Sequence, residues 1–496
     1  MKIRYILSLV AIVAATTDSF AQYSQDALRF STTQTGSTSR IKAIGNANVA
    51  IGGDLTSISG NPAGLGFFTK SEFSITPEYD MFKSKATYLG NTMTDKKNTG
   101  NLSHAGVVFY NRLSRPKGAD LTKGWLSVNY GFSFSRTNDF YENSTYGGTN
   151  PNSTITDYYA DIANFTNQLG LPDWAISQKL IDVYKIDPDG SDTDPNNLEY
   201  RSNVDFAERG VVQTNVITRT GGQSEFNLAI GGNYSNKLYI GGSLGMTSIR
   251  YNSTIAFTEE GDISLADNEP SRQFASVFTQ NQVTRGTGVN AKLGIIYKPV
   301  EAVRLGFNFT TPTWYTMEDS YSEGLTTNIS GRGQSRNGEV YPLQYNLRTP
   351  LKVAGGLAVF IKQFGFITGD VEYVDYSSAN LSSNIDYDAS EDNTNIKTLY
   401  KGAVNARVGA EARLSSIAYL RGGYNIMGNP MKEFGSSIKT ASGGVGFRTG
   451  NYSIDATYTH STGSRTDFAY DLGNMSPSAV LKRSNDNVYL TVAYRF

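Results

Sequence analysis

The 496-residue chain contains no cysteine, which excludes disulfides, thiolate metal sites and cysteine nucleophiles together. Its only two histidines are His104 and His460, and the spacing fixes no Ser or Asp beside either, so no histidine-based catalytic constellation is legible. The chain is expected not to be an enzyme. After its first residues it has no apolar run approaching the ~20 that a membrane helix needs, so helical spans are excluded. Neither sign of charge is in excess, with 44 Lys and Arg against 45 Asp and Glu, and nothing points to nucleic acid. Metal-binding patterns are also missing. The acidic run 187-DPDGSDTDPNN-197 offers Asp187, Asp189, Asp192 and Asp194 to Ca²⁺, but Gly190 falls in the fourth place and not in the sixth that an EF-hand requires. A solvated tip is the simpler reading, and neither metal nor cofactor is expected.

What the chain does have is 50 Gly, 31 Tyr and 25 Phe, with a mean hydropathy of -0.35. Strand-forming aromatics and turn-forming glycine without long apolar blocks suit a membrane β-barrel, whose strands are apolar on one face only. The N-terminus reads as an export signal over residues 1–21: Lys2 and Arg4, an apolar stretch over residues 5–15, then Ser19-Phe20-Ala21 as the cleavage pattern, with Gln22 first in the mature chain.

Periodicity carries the argument further. In 487-NVYLTVAYRF-496, Val488, Leu490, Val492, Tyr494 and Phe496 share one face, and such a terminal strand is what the barrel-assembly machinery engages. The same alternation recurs upstream in pairs joined by short turns such as Gly450-Asn451, giving fourteen strands. Long links alternate with the short ones, at roughly residues 138–222 (the longest), 252–286, 313–348, 377–400, 429–439 and 461–484. Short periplasmic turns and long extracellular loops are the pattern of an outer-membrane barrel.

Charges fall on the face opposite the aromatics: Arg304, Asp370, Glu372, Arg407, Arg421 and Arg448, with Lys292, Lys352, Glu411 and Asp455. A basic side chain turned to mid-membrane lipid costs ~2–4 kcal/mol, so these are assigned to the lumen, either pairing across it or lining a path for solute. Trp125 and Trp314 flank strands where an aromatic belt is expected. Trp174 lies in 155-ITDYYADIANFTNQLGLPDWAISQKLIDVY-184, whose apolar spacing predicts two short amphipathic helices, which either cap the barrel or offer an apolar landing surface. Phe274, Phe278 and Trp314 in the long links are further candidates for capturing a ligand.

Residues 22–70 precede the first strand of a barrel that occupies residues 71–496. They are too long for a turn and too apolar for a tail, and a fourteen-stranded barrel is wide enough to need filling. The economical reading is a plug in the lumen, in which Asn61-Pro62 starts a turn or helix.

The run 45-GNANVAIGGDLTSISGNPAGLGFFTKSEFSITP-77, with Asp54 ahead of Asn61, Pro62, Ala63 and Gly64, resembles the N-terminal hatch of the FadL/TodX family of outer-membrane transport proteins for hydrophobic compounds, in its Bacteroidetes-type form. The resemblance implies a monomer in the outer membrane that takes up fatty acids or aromatic hydrocarbons passively. It further implies lateral release into the outer-membrane lipid at an inward kink of the third strand, 124-GWLSVNYGFSFSR-136, with Gly131 as the natural kink site. A FadL-like shuttle for secreted proteins and a general porin are the alternatives. An apolar pocket between hatch and wall is expected to hold the ligand.

Overall fold

The computed structural model describes residues 21–114, 116, 118, 120, 122–165, 170–185, 198–206, 210–265, 270–383 and 387–496. Residues 1–20 of the expected export signal and residues 187–197 of the acidic run lie outside the described residues. Fourteen antiparallel strands form the wall: β1 (Glu72–Tyr88), β2 (Asn91–Phe109), β3 (Trp125–Asp139), β4 (Val211–Tyr234), β5 (Leu238–Ile263), β6 (Arg272–Val300), β7 (Val303–Thr310), β8 (Lys352–Ile361), β9 (Gly365–Asp375), β10 (Gly402–Arg413), β11 (Ala418–Met427), β12 (Ile438–Thr449), β13 (Tyr452–Phe468) and β14 (Ser478–Arg495). Pairing of β1 with β14, from Glu72–Arg495 to Tyr88–Ala479, closes the sheet into a barrel.

At one end the strands are joined by turns as short as 235–237 and 450–451, where Ser235, Asn236 and Gly450 adopt the left-handed φ that tight hairpins need. Trp125 and Tyr234 meet edge to face at this end, and Trp314 stands exposed toward the other. Between these levels Ile230, Leu244, Leu293, Phe307, Val371 and Val408 point outward and are exposed, forming the apolar face that the alternation predicted.

Toward the far end the expected loops turn out to be mostly strand. β6 runs for 29 residues and stays paired with β5 as far as Arg272–Ile263. At ~3.3 Å per residue this is roughly 95 Å, well beyond a ~30 Å hydrocarbon core. Strands Trp314–Ile329 and Tyr341–Arg348 continue β7 and β8 past Pro312 and Pro350, where a missing N–H interrupts the ladder. β1 and β2 meet at a two-residue turn, Leu89-Gly90, both with positive φ. The periodicity signal fails here for a physical reason. Above the membrane the outward positions of β5 become Ser248, Arg250, Asn252 and Thr254, so the apolar alternation disappears while the backbone ladder continues.

Two helices begin the N-terminal segment, α1 (Ala21–Ser31) and α2 (Ser39–Ala43), followed by single 3₁₀ turns at Leu55–Ile58 and Pro62–Phe67. The segment lies inside the barrel. α1 occupies the far half, where Ala27 and Phe30 pack with Phe140, Tyr251, Tyr315 and Tyr345. Residues 39–68 fill the half nearer the short turns.

The longest link, expected over 138–222, is narrower in the structure, because strand Glu142–Asn150 pairs with Val211–Arg219 of β4. The remaining excursion contains the two expected helices, α3 (Ile155–Phe165) and α4 (Leu171–Ser177), and a small hairpin, Ile181–Lys185 with Leu198–Ser202. These helices bury Ile155, Tyr159, Ala163, Leu171 and Ala175 against Phe257, Phe274, Phe278 and Leu325, capping the far end.

Candidate functional site

The plug meets the wall through missing side chains. Gly131 on β3, Gly231 on β4, Gly241 on β5, Gly294 on β6, Gly306 on β7, Gly356 on β8, Gly409 on β10, Gly423 on β11 and Gly444 on β12 all face inward under plug residues between Ala43 and Gly66. A Cβ on Gly231 would stand 2.6 Å from the Pro62 carbonyl oxygen, and one on Gly444 would stand 2.8 Å from the Ala43 Cβ. A side chain at these points would push the plug off the wall. Hydroxyls complete the contact where glycine does not. Ser39 donates its N–H to Thr491 Oγ1 (2.7 Å), and Thr457 Oγ1 donates to the Ser39 carbonyl (2.7 Å).

The Asn-Pro-Ala-Gly element sits at the centre of this contact. Asn61 is buried and caps the Pro62–Phe67 turn, its Oδ1 accepting from the Ala63 N–H (3.1 Å). Its Nδ2 donates to the carbonyls of Val49 in the plug (2.7 Å), Phe307 on β7 (3.2 Å) and Ile295 on β6 (3.4 Å). Ala63 is fully buried, and Gly64 leaves room for Ser57 while its carbonyl accepts from the Gly53 N–H (3.0 Å). Asp54 caps the other turn, accepting from the Thr56 N–H and the Thr38 hydroxyl, both at 2.9 Å.

The inward charges pair with one another and with the plug. Arg407 donates to Glu372 (2.8 Å), and Arg421 joins Glu411 (2.7 Å) to Asp455 (2.5 Å). Arg40 of the plug reaches the same Glu411 (2.9 Å), and Asp370 accepts from the backbone N–H groups of Asn48 (2.6 Å) and Val49 (2.9 Å). Arg304 lies between the rings of Phe67 (4.2 Å) and Phe360 (4.0 Å) and donates to the Ile51 carbonyl. Arg448 lies over Tyr419 (4.7 Å). These positions brace the wall and hold the plug.

The expected apolar pocket is not what separates plug from wall here. A cavity of about 80 Å³ lies between α1, the plug and β4 to β10, and its lining includes Thr33, Gln34, Asn48, Gln223, Asn290, Lys292, Asn308 and Lys352. Ser31 Oγ, Asn48 Nδ2, Gln223 Oε1, Asn290 Oδ1 and Asn308 Oδ1 find no partner in the protein, so the chamber is polar and suited to water. The polar lining has a simple cause. The inward positions alternate with apolar outward ones and so are polar, and the apolar plug residues are used up against each other and the glycines.

The wall has one seam of short pairing. The β2–β3 ladder runs from His104–Ser135 to Phe109–Tyr130 and is continued toward the short turns by the Val128 N–H to Asn111 and the Leu113 N–H to Leu126, but it stops at His104–Ser135 in the other direction. Beyond this, side chains bridge the gap: Asn101 to Asp139 (2.7 Å), Lys97 to Asn143 (3.2 Å) and the Thr145 N–H to Asp95 (2.6 Å). The expected kink site, Gly131, lies within regular pairing. Gly131 is paired in register with Val108 and Ala229, and β3 is irregular at Trp125–Ser127 and Arg136–Asn138 instead. Its missing side chain serves Ile58 of the plug, whose Cδ1 lies 2.8 Å from where a Cβ would be.

The residues expected to capture ligand are placed differently. Phe274 and Phe278 are buried on β6 beneath the cap, Trp174 packs partly buried in the same cluster, and Trp314 faces outward. His104 is buried on the lumen side near the short-turn end of β2, while His460 is exposed and bonded through Nδ1 to Asp486 (2.6 Å). The sequence reading missed α1 and the ring of glycines. Tyr23, Ala27 and Phe30 at helical spacing, and glycines at strand positions of inward parity, were the available signals.

No protein-family model matches the chain, and no curated protein matches it by sequence. Among solved structures it is similar to a Pseudomonas aeruginosa FadL homologue, at 12% identity and a TM-score of 0.54, covering 94% of this chain and 99% of that one. It is likewise similar to the P. putida toluene transporter TodX, at 12% identity and TM-score 0.52 over 93% and 99% of the two chains. The CymD monoaromatic hydrocarbon channel follows at 11% identity and TM-score 0.50, over 93% and 98%. The chain therefore has the FadL/TodX-type fold, a closed fourteen-stranded barrel built around its own N-terminal segment.

Proposed function

We propose that the protein is a passive outer-membrane uptake channel for hydrophobic small molecules. The observation that carries this reading is a lumen filled by the N-terminal segment in a barrel whose fold is shared with a toluene transporter and a monoaromatic hydrocarbon channel. A filled lumen opposes general diffusion. It does not oppose a solute that leaves sideways, because a hydrophobic molecule gains roughly 0.8 kcal/mol per CH₂ on leaving water. The β2–β3 seam is the exit we assign, since its short ladder has the fewest backbone bonds to break. Entry requires the plug to shift, because a polar chamber of about 80 Å³ does not admit an acyl chain at rest.

Uptake of labelled long-chain fatty acid and of toluene by cells producing the protein tests the reading. Transport of either, reduced when Gly131→Val forces Ile58 away from the seam, supports it. A large, steady, salt-conducting pore in planar bilayers would sink it.

A further inference from the structure

The outward face of the wall sets like charges directly opposite one another. Lys83 on β1 faces Lys96 on β2, and two residues further along Lys85 faces Lys482 on β14. All four side chains are exposed. Their remaining in-register neighbours are Ser484, Thr94 and Ser464, so no carboxylate stands opposite any of them. Asp486, on the same face, is engaged by Tyr458 and His460 and lies near Lys83 alone among the four. Like charges opposed at cross-strand distance, ~5 Å between Cβ atoms, destabilise a sheet in water unless an anion lies between them. The same arrangement recurs on β5 and β6, where Arg250 faces Arg285, although Glu318 flanks that pair.

The height of the patch identifies the anion. Lys83 stands eleven residues along β1 from Glu72 (83 − 72), roughly 36 Å of strand, or about 28 Å above the short-turn end at a tilt of ~40°. Below a row formed by Met81, Asp486 and Asn98, the outward positions of β1 and β14 are apolar, with Ile75 and Tyr79 on β1 and Val488 and Leu490 on β14. The lysines thus stand where acyl chains give way to headgroups on the side away from the short turns. We propose that Lys83, Lys85, Lys96 and Lys482 bind the phosphates of a phosphorylated saccharide lipid of the outer leaflet. Two rows of ammonium groups ~7 Å apart suit a headgroup with two phosphates, and the apolar wall beneath takes the acyl chains of the same molecule. A lipid is favoured over free phosphate for that reason. The inference rests on the outer-membrane orientation and is independent of the cargo.

Native mass spectrometry of the full-length barrel with bisphosphorylated lipid A, dephosphorylated lipid A and inorganic phosphate tests it. Replacing all four lysines by glutamine is expected to weaken retention of bisphosphorylated lipid A by at least about a hundredfold, at about fivefold per lysine near an anionic lipid. A control with Lys123→Gln and Lys237→Gln, at the opposite end, is expected to retain it as the wild type does. The two-residue variant Lys83→Gln/Lys96→Gln is expected to fall between. Equal retention by wild type and four-lysine variant overturns the proposal, as does equal binding of the dephosphorylated lipid. Complete displacement by equimolar inorganic phosphate reduces the patch to a free-anion site and also overturns it. Orientation is read separately: a peptide tag at the Leu89-Gly90 turn must be reachable by antibody on intact cells, and an unreachable tag removes the outer-leaflet assignment.

Discussion

Replacing Asn61 by alanine tests the contact between plug and wall by removing one polar side chain. The substitution removes the cap on the Ala63 N–H and three donations, to Val49, Phe307 and Ile295. The wall carbonyls remain in the strand ladder, so their loss counts little. The Val49 carbonyl and the cap carry most of the cost, which we place at ~2–4 kcal/mol. At 1.4 kcal/mol per tenfold, the plug should leave its seat about a hundredfold more often. Hydrogen exchange of residues 48–68 should accelerate by that factor. Planar bilayers should show brief conductance openings that the wild type lacks. Heat-modifiable gel migration should not change, because barrel closure runs through backbone pairs that do not involve Asn61. Asn61→Asp sharpens the test: it keeps the acceptor for Ala63 but places a carboxylate against carbonyl oxygens, and it should be at least as disruptive. Unchanged exchange in residues 48–68 would refute the assignment of Asn61 as the fastener, and loss of barrel migration would show that plug and wall are not separable.

Other outcomes follow from the same contacts. Arg421→Met leaves Glu411 and Asp455 buried with one fewer cation between them, and should lower barrel stability by ~3–5 kcal/mol in urea titration. Leu293→Arg turns a charge from the outward face of β6 to mid-membrane lipid and should cost ~2–4 kcal/mol, read as impaired assembly or a lowered unfolding midpoint. Asp26 on α1 is fully buried, and burial pushes its carboxyl from 3.8 up to about 6, against Arg29 and with Asp319 adding to the rise. Seating of α1 is therefore favoured by protonation: the gain is complete below about pH 4 and is lost as the pH rises through 6. Lowering the pH from 7.5 to 5 should protect residues 21–31 about tenfold in exchange corrected for intrinsic rates, and Asp26→Asn should abolish this dependence.

The wall was legible because lipid imposes a simple rule. Val488, Leu490 and Val492 had to face outward and Arg421 and Asp455 inward, since the reverse is costly in a hydrocarbon medium, and both sets appear where alternation put them. The rule stops where lipid stops, which is why the upper halves of β5 and β6 read as loops although their ladder is unbroken. The Asn-Pro-Ala-Gly run announced a turn with a cap, and it is one. Its partners are up to 246 residues away in the chain, and no local pattern states that Asn61 reaches Phe307. Gly131 shows the limit best. Sequence alone determined that a strand carries a glycine there. Only the closed barrel, by bringing Ile58 against it, decided that the glycine makes room for the plug.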